Sequence, residues 1–274
     1  MMNNVVGQKK IIKQLSNYTL DNFPKTILFV GEKGCGKHYI ASKIADNILK
    51  LTLLDITATL SNNLIDDIYR SPLPQVYLID LNNMQEKEQN VILKFIEEPP
   101  LSSFIIIICE NTNFVLDTII NRCRVFNFEN YSVDELRTFD VNKQFSDDTL
   151  RLLSTPGNVL NTVSNTISLN SMVELCNKIT NRISNATLAN TLSIKNKINF
   201  KDEYDKFDLN IFLKILANSM YNQFLATNHI NIYEMYKTLE NQRKIALNAK
   251  INKEIWFENL LIKLWKVSRQ NERH

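Results

Sequence analysis

The stretch "TILFVGEKGCGKH", residues 26–38, decides the fold. Its first five residues, Thr26 and four apolar ones, lie between Pro24 and Gly31, the pattern of a short buried strand. Gly31, Gly34, Gly36 and Lys37 follow, and a helical pattern begins directly after them. Strand, glycine-rich loop, lysine and helix in that order make a phosphate-binding loop. Glycines let backbone N–H groups turn inward around phosphate oxygens, and the helix N-terminus adds partial positive charge. Lys37 would reach the β and γ phosphates, so Gly31, Gly34, Cys35, Gly36, Lys37 and His38 are the candidate nucleotide contacts. His38 is the anomaly. That position normally carries a hydroxyl that binds Mg²⁺, and imidazole suits a hard, oxygen-seeking cation poorly.

Outward from the loop, helical and strand patterns alternate up to about residue 129. "QVYLID" (75–80) and "SFIIIIC" (103–109) are continuous apolar runs, predicted to be buried strands like 26–30. "KKIIKQLSNYTL" (9–20), "HYIASKIADNILKL" (38–51) and "EKEQNVILKFIEE" (86–98) carry helical spacing, the last stopped by Pro99 and Pro100. Apolar strands separated by helices indicate a parallel sheet covered on both faces. After "RVFNFENYS" (124–132) the strands stop, and short helices are predicted at 133–139, 147–154 and 158–167. From about residue 171 the chain is helical, broken by the polar stretch "KNKINFKDEYDKFD" (195–208). The division that follows is 1–129, 130–190 and 191–274.

A second test of the loop lies at the end of strand 75–80. Asp80 stands where a strand aspartate would hold the metal, but the next residue is Leu81, which cannot activate water as a glutamate would. Two catalytic elements are therefore altered.

Bulk properties narrow the rest. A net charge of +3 does not by itself announce a nucleic-acid partner. The four cysteines (35, 109, 123 and 176) form no C-x-x-C pair, and His38, His229 and His274 are far apart, so no zinc site is expected. "MMNNVVGQKK" has no leader pattern, and "FIIIIC" is too short to span a bilayer, so a cytoplasmic protein is expected. Lys9, Lys10 and Lys13 cluster on the first helix, either as a solvated face or against DNA phosphate.

Five further segments carry a family resemblance. "NVVGQ" (4–8) resembles the motif bordering the adenine pocket, and "LKFIEEPP" (93–100) resembles the "LLKTLEEPP" of the same proteins. "TIINRC" (118–123) resembles "TIRSRC", and "STPGNVL" (154–160) resembles the lid motif "GSPGxAL". "ALNAKINKEIWFENLLIKLW" (246–265) resembles the last collar helices. Together they identify the chain as similar to AAA+ clamp-loader subunits, the delta-prime subunit of bacterial DNA polymerase III in particular.

The resemblance implies an α/β AAA+ domain with a parallel sheet, then a small helical lid domain and an all-helical collar. It also implies a hetero-pentameric ring that loads a sliding clamp onto primer–template DNA, contacting DNA through its backbone. Val6 would border the nucleotide, and Arg122 would act in trans as an arginine finger on a neighbouring ATPase. The alternative for Arg122 is a surface arginine paired with a nearby carboxylate. Gly157 stands where active relatives carry a lid arginine, Cys109–Glu110 occupy the sensor position, and the four-cysteine zinc module is missing. A stator-type subunit that does not hydrolyse ATP fits these losses. ATP or ADP could still be held, with Mg²⁺ not bound in the usual way. An active ATPase with a variant site remains the alternative, and a free-standing P-loop kinase fits the helical remainder poorly. The apolar spacing of Trp256, Phe257, Leu260, Leu261, Leu264 and Trp265 marks a seam, inside the chain or, as the resemblance favours, between chains.

Overall fold

The computed structural model describes residues 5–70, 73–82, 84–143, 145–164, 169–185, 187–194, 209–246 and 252–269. The polar stretch 195–208, Asn4, residues 165–168 and 247–251, and His274 lie outside them. The chain divides into two compact units, Met1–Leu160 and Asn161–His274.

The first unit runs α1 (Lys9–Leu15), β1 (Thr26–Val30), α2 (Lys37–Ile44), β2 (Thr52–Asp55), α3 (Asn62–Arg70), β3 (Gln75–Asp80), α4 (Glu86–Val91), α5 (Leu93–Glu97), β4 (Phe104–Cys109), α6 (Asp117–Ile120) and β5 (Arg124–Asn127). Its five strands pair in parallel in the order β2-β3-β4-β1-β5. Helices cover both faces, which is why the central strands are apolar without alternation. Ile27, Phe29, Leu78, Ile106 and Ile108 pack under α1 and α2, beside Leu15, Ile40 and Ile44. Leu28, Tyr77, Ile79, Ile105 and Ile107 pack on the opposite face, against Ile65, Phe95 and Ile119.

Two helices differ from the sequence expectation. The helix expected over 38–51 ends in a π-helical turn at Ala45–Leu49, Lys50 takes a left-handed conformation, and β2 begins at Thr52. The helix expected over 86–98 is two helices. At Ile92 the backbone tightens to an N–H to Gln89 carbonyl bond of 3.2 Å, an i to i−3 closure that breaks the α pattern. Helix α4 starts on a capping box in which Gln85 and Glu88 bond each other's backbone. Beyond β5 come α7 (Val133–Arg137), α8 (Asp147–Leu153) and α9 (Pro156–Ser164). The serines at 132 and 146 cap α7 and α8.

The second unit is helical throughout its described residues: α10 (Leu169–Asn185), α11 (Leu188–Leu192), α12 (Leu209–Thr227), α13 (Ile230–Ala246) and α14 (Lys253–Ser268). Phe212 of α12 meets Phe257 of α14 edge to face at 5.9 Å. Trp256, Phe257, Leu260, Leu261 and Leu264 are all buried within the chain. Trp265 is half-buried, so the chain's own helices fill the seam except at that residue. Among the described residues no helix is long and apolar enough to cross a membrane.

The thiols are packing groups. Burial pushes Cys109 up to about 11 and Cys123 and Cys176 up to about 12, and raises Cys35 against the pull of Lys37. The nucleophile is the thiolate, whose fraction at pH 8 falls to about one part in a thousand or less for a group at 11–12. Ellman's reagent should therefore label the native chain slowly at pH 8 and all four cysteines at once after denaturation. Rapid native labelling of two or more would contradict this packing.

Candidate functional site

The glycine loop sits at the C-terminal end of β1. Gly31 donates its N–H to the Cys109 carbonyl (3.1 Å), so the loop starts beside the end of β4. Gly36, in the left-handed region, precedes α2 directly. Lys37 is buried, and its ammonium is held by the Gly31 carbonyl at 2.5 Å and the Glu32 carbonyl at 3.0 Å, with Cys35 Sγ at 3.8 Å. His38 points outward and is exposed.

The segment ahead of α1 closes one side of the loop. Gln8 bonds both backbone groups of Glu129, at 2.7 and 2.8 Å. Gly7 lies flat under the Tyr131 ring, and Tyr131 Oη donates to the Cys35 carbonyl at 2.9 Å. Burial raises the Tyr131 phenol to about 12, so it stays a donor at any physiological pH. Val6, half-buried, borders this side.

The lid motif closes the other side. Ser154 Oγ donates to the Glu32 carboxylate (2.9 Å), Thr155 Oγ1 to the Lys33 carbonyl (3.2 Å), and the Gly157 N–H to the Gly34 carbonyl (2.9 Å). Gly34 and Gly157 touch backbone to backbone: a Cβ at 157 would come within 2.6 Å of the Gly34 Cα. Gly34 also holds φ +83°, which L side chains rarely adopt. The chain has only five glycines, and all of them lie in this loop or on what packs against it.

Strand alternation decides what faces the loop. On β3, Leu78 belongs to the layer under α2, so Asp80 faces the same way, while Leu81 is buried with Ile79 in the opposite layer. The residue after Asp80 is therefore unsuited as a base both in chemistry and in direction. On β4, Ile106 and Ile108 lie under α2, which brings Glu110 to the loop side. Glu110, at the sensor position, is not among the candidate nucleotide contacts. Its N–H donates to Asn82 Oδ1 at 2.6 Å, and Asn82 in turn donates its N–H to Asp80 Oδ1 at 2.9 Å. Burial raises the Glu110 carboxyl against the pull of Lys37 and Lys33, with Asp80 and Glu32 adding to the rise.

Arg122 is elsewhere. It follows α6 and precedes β5, whose Arg124 pairs with Ile27 near the start of β1. The loop follows the end of β1. In a parallel sheet these are opposite ends of the strands, about 15 Å apart over five residues. Arg122 Nη2 pairs with Glu97 Oε1 at 2.6 Å and Nη1 donates to the Thr118 carbonyl at 2.8 Å, so the paired-carboxylate alternative is present in this chain.

Buried Gln89 ties the segment before α6 in place. Its amide donates to the Phe114 carbonyl (2.6 Å) and the Met84 carbonyl (3.3 Å) and accepts from the Leu116 N–H (3.0 Å). Gln89→Leu strands those groups, each costing about 1–3 kcal/mol when buried and unpaired. A loss of about 2–3 kcal/mol is expected in urea unfolding. A change below 0.5 kcal/mol would show that the amide's bonds are replaced.

Does this site fit a Mg²⁺–triphosphate? The hydroxyl ligand is replaced by an outward imidazole, the water activator by a core leucine and the lid arginine by Gly157. Glu110 adds a carboxylate to a loop where Lys37 and Lys33 pull on it and Asp80 and Glu32 repel it. The residues do not fit the group.

Comparison with known proteins agrees with the geometry. A family model described as "DNA polymerase III, delta subunit" matches residues 55–132. The chain is 25% identical over 143 residues to the replication factor C small subunit of Methanothermobacter thermautotrophicus, covering 46% of this chain and 44% of that one. It is 26% identical over 169 residues to DNA polymerase III subunit gamma of Buchnera aphidicola subsp. Acyrthosiphon pisum, covering 49% and 47%. Among solved structures, a DNA polymerase III gamma subunit-related protein of Thermotoga maritima superposes with a TM-score of 0.54 at 12% identity, covering 96% of this chain and all of that one. The chain is similar to AAA+ clamp-loader subunits over part of its sequence and in its fold. The RuvB Holliday junction branch migration motor of Thermotoga maritima shares the fold at a TM-score of 0.51 and 16% identity, covering 74% and 86%. This clamp-loader-like chain spans less than half the length of the two curated relatives named.

Proposed function

We propose that the chain is a stator-type clamp-loader subunit with delta-prime character, cytoplasmic, which completes a neighbour's ATP site rather than running its own. One observation carries this: Arg122 stands at the opposite end of the strands from its own phosphate loop, while that loop has lost its hydroxyl, its base and its lid arginine. A guanidinium so placed can serve phosphoryl transfer only on another chain, where its planar fork neutralises charge on the transferring group. In this reading residues 1–129 are the AAA+ domain, 130–190 the lid and 191–274 the collar. Its partners are the other subunits of a hetero-pentameric ring, the sliding clamp, and primer–template DNA held through phosphates, since a loader must accept any sequence.

The test mixes the chain with an ATPase subunit of such a ring and its clamp, then repeats with Arg122→Ala. Lost stimulation is expected. Unchanged stimulation removes the finger assignment.

A further inference from the structure

Glu110 has no part in the function proposed above, yet alternation along β4 delivers it to the phosphate loop. The Gly31 N–H to Cys109 carbonyl bond fixes the end of β4 beside the loop's first residue. The Glu110 N–H to Asn82 Oδ1 bond fixes its backbone beside the end of β3. Its strongest charge partner is Lys37, followed by Lys33. Lys37 is the cation a triphosphate would use, and Asp80 and Glu32 add their negative charge around Glu110. Glu32 is tied to the lid by Ser154, and Asp80 is a position at which phosphate loops ordinarily carry an acid for Mg²⁺. Glu110 is therefore the added charge. Without it the four remaining groups, two ammoniums and two carboxylates, balance; with it the loop is net negative before any phosphate arrives.

We propose that Glu110 is a built-in anion in the phosphate loop, standing opposite Lys37 in place of the terminal phosphate and excluding nucleoside triphosphates from this chain's own site. Charges in a partly buried site interact strongly enough for one carboxylate to shift phosphate affinity by about tenfold or more. The exclusion acts most on the terminal phosphate, so a diphosphate is disfavoured less than a triphosphate. This inference rests on the loop being silent in hydrolysis and is independent of what Arg122 does.

The experiment is equilibrium binding of fluorescent ATP and ADP analogues to the full chain, with and without Mg²⁺. It compares the parent, Glu110→Gln, Glu110→Thr, and Asp66→Asn as an exposed carboxylate control; thermal melts confirm that each variant is folded. Both Glu110 variants should bind the triphosphate about tenfold tighter or more, gain less for the diphosphate, and still show no turnover. Asp66→Asn should match the parent. Triphosphate affinity unchanged in both Glu110 variants overturns the proposal and leaves the trans role of Arg122 untouched. Parent turnover that Glu110→Gln abolishes also overturns it, by making Glu110 a base, and removes the silent-loop reading as well.

Discussion

Arg122→Ala is expected to reduce ATP turnover at the neighbouring site by about 10³-fold, the scale on which an arginine finger acts. The readout needs a ring whose remaining ATPase positions carry substitutions of their phosphate-loop lysines, so that one site reports. Arg122→Lys should restore little, because an ammonium is a point charge and cannot present two parallel N–H donors. The Glu97 pair does not stand in the way. Both side chains are about four-tenths exposed, and pairs of that kind contribute roughly 0–1 kcal/mol. Glu97→Gln should therefore change stimulated turnover by no more than about fivefold. A loss with Glu97→Gln as large as with Arg122→Ala would mean that the ion pair, not the free guanidinium, is what the neighbour needs.

Gly157→Ala should destabilise the first unit by about 1–3 kcal/mol, the usual cost of forcing a methyl into a filled space. The added Cβ would lie 2.6 Å from the Gly34 Cα and 3.1 Å from its carbonyl oxygen, both backbone atoms with no rotamer to escape into. Relief requires the start of α9 to lift from the loop, which breaks the Gly157 N–H to Gly34 carbonyl bond and loosens those of Ser154 and Thr155. In a unit of this size the melting temperature should fall by roughly 3–10 °C. Hydrogen exchange at residues 154–158 should rise along with it. Unchanged melting and exchange would show that the lid does not rest on the loop in solution. An arginine at 157, the residue active relatives carry, meets the same backbone, so this chain cannot regain a lid arginine without moving α9.

Strands 26–30, 75–80 and 104–109 were legible because each is buried on both faces and so reads as an unbroken apolar run. The edge strands β2 and β5 were not. "TLLD" and "RVFN" are four residues each and half exposed, which leaves no run and too little alternation to detect. The loop glycines and Lys37 announced themselves by order along the chain. Glu110 was visible only as an oddity at a sensor position; counting alternate residues back along β4 would have placed it on the loop side. The Gly34–Gly157 contact and the Arg122–Glu97 pair join residues far apart in sequence, and no local pattern encodes such contacts.

The central claim, that this chain's own phosphate loop is silent, is tested most directly by ATP turnover of the isolated full chain, with Lys37→Ala beside it to expose any contaminating activity. No hydrolysis above that Lys37→Ala background is expected, with Mg²⁺ present or absent. Hydrolysis that disappears in Lys37→Ala would contradict it.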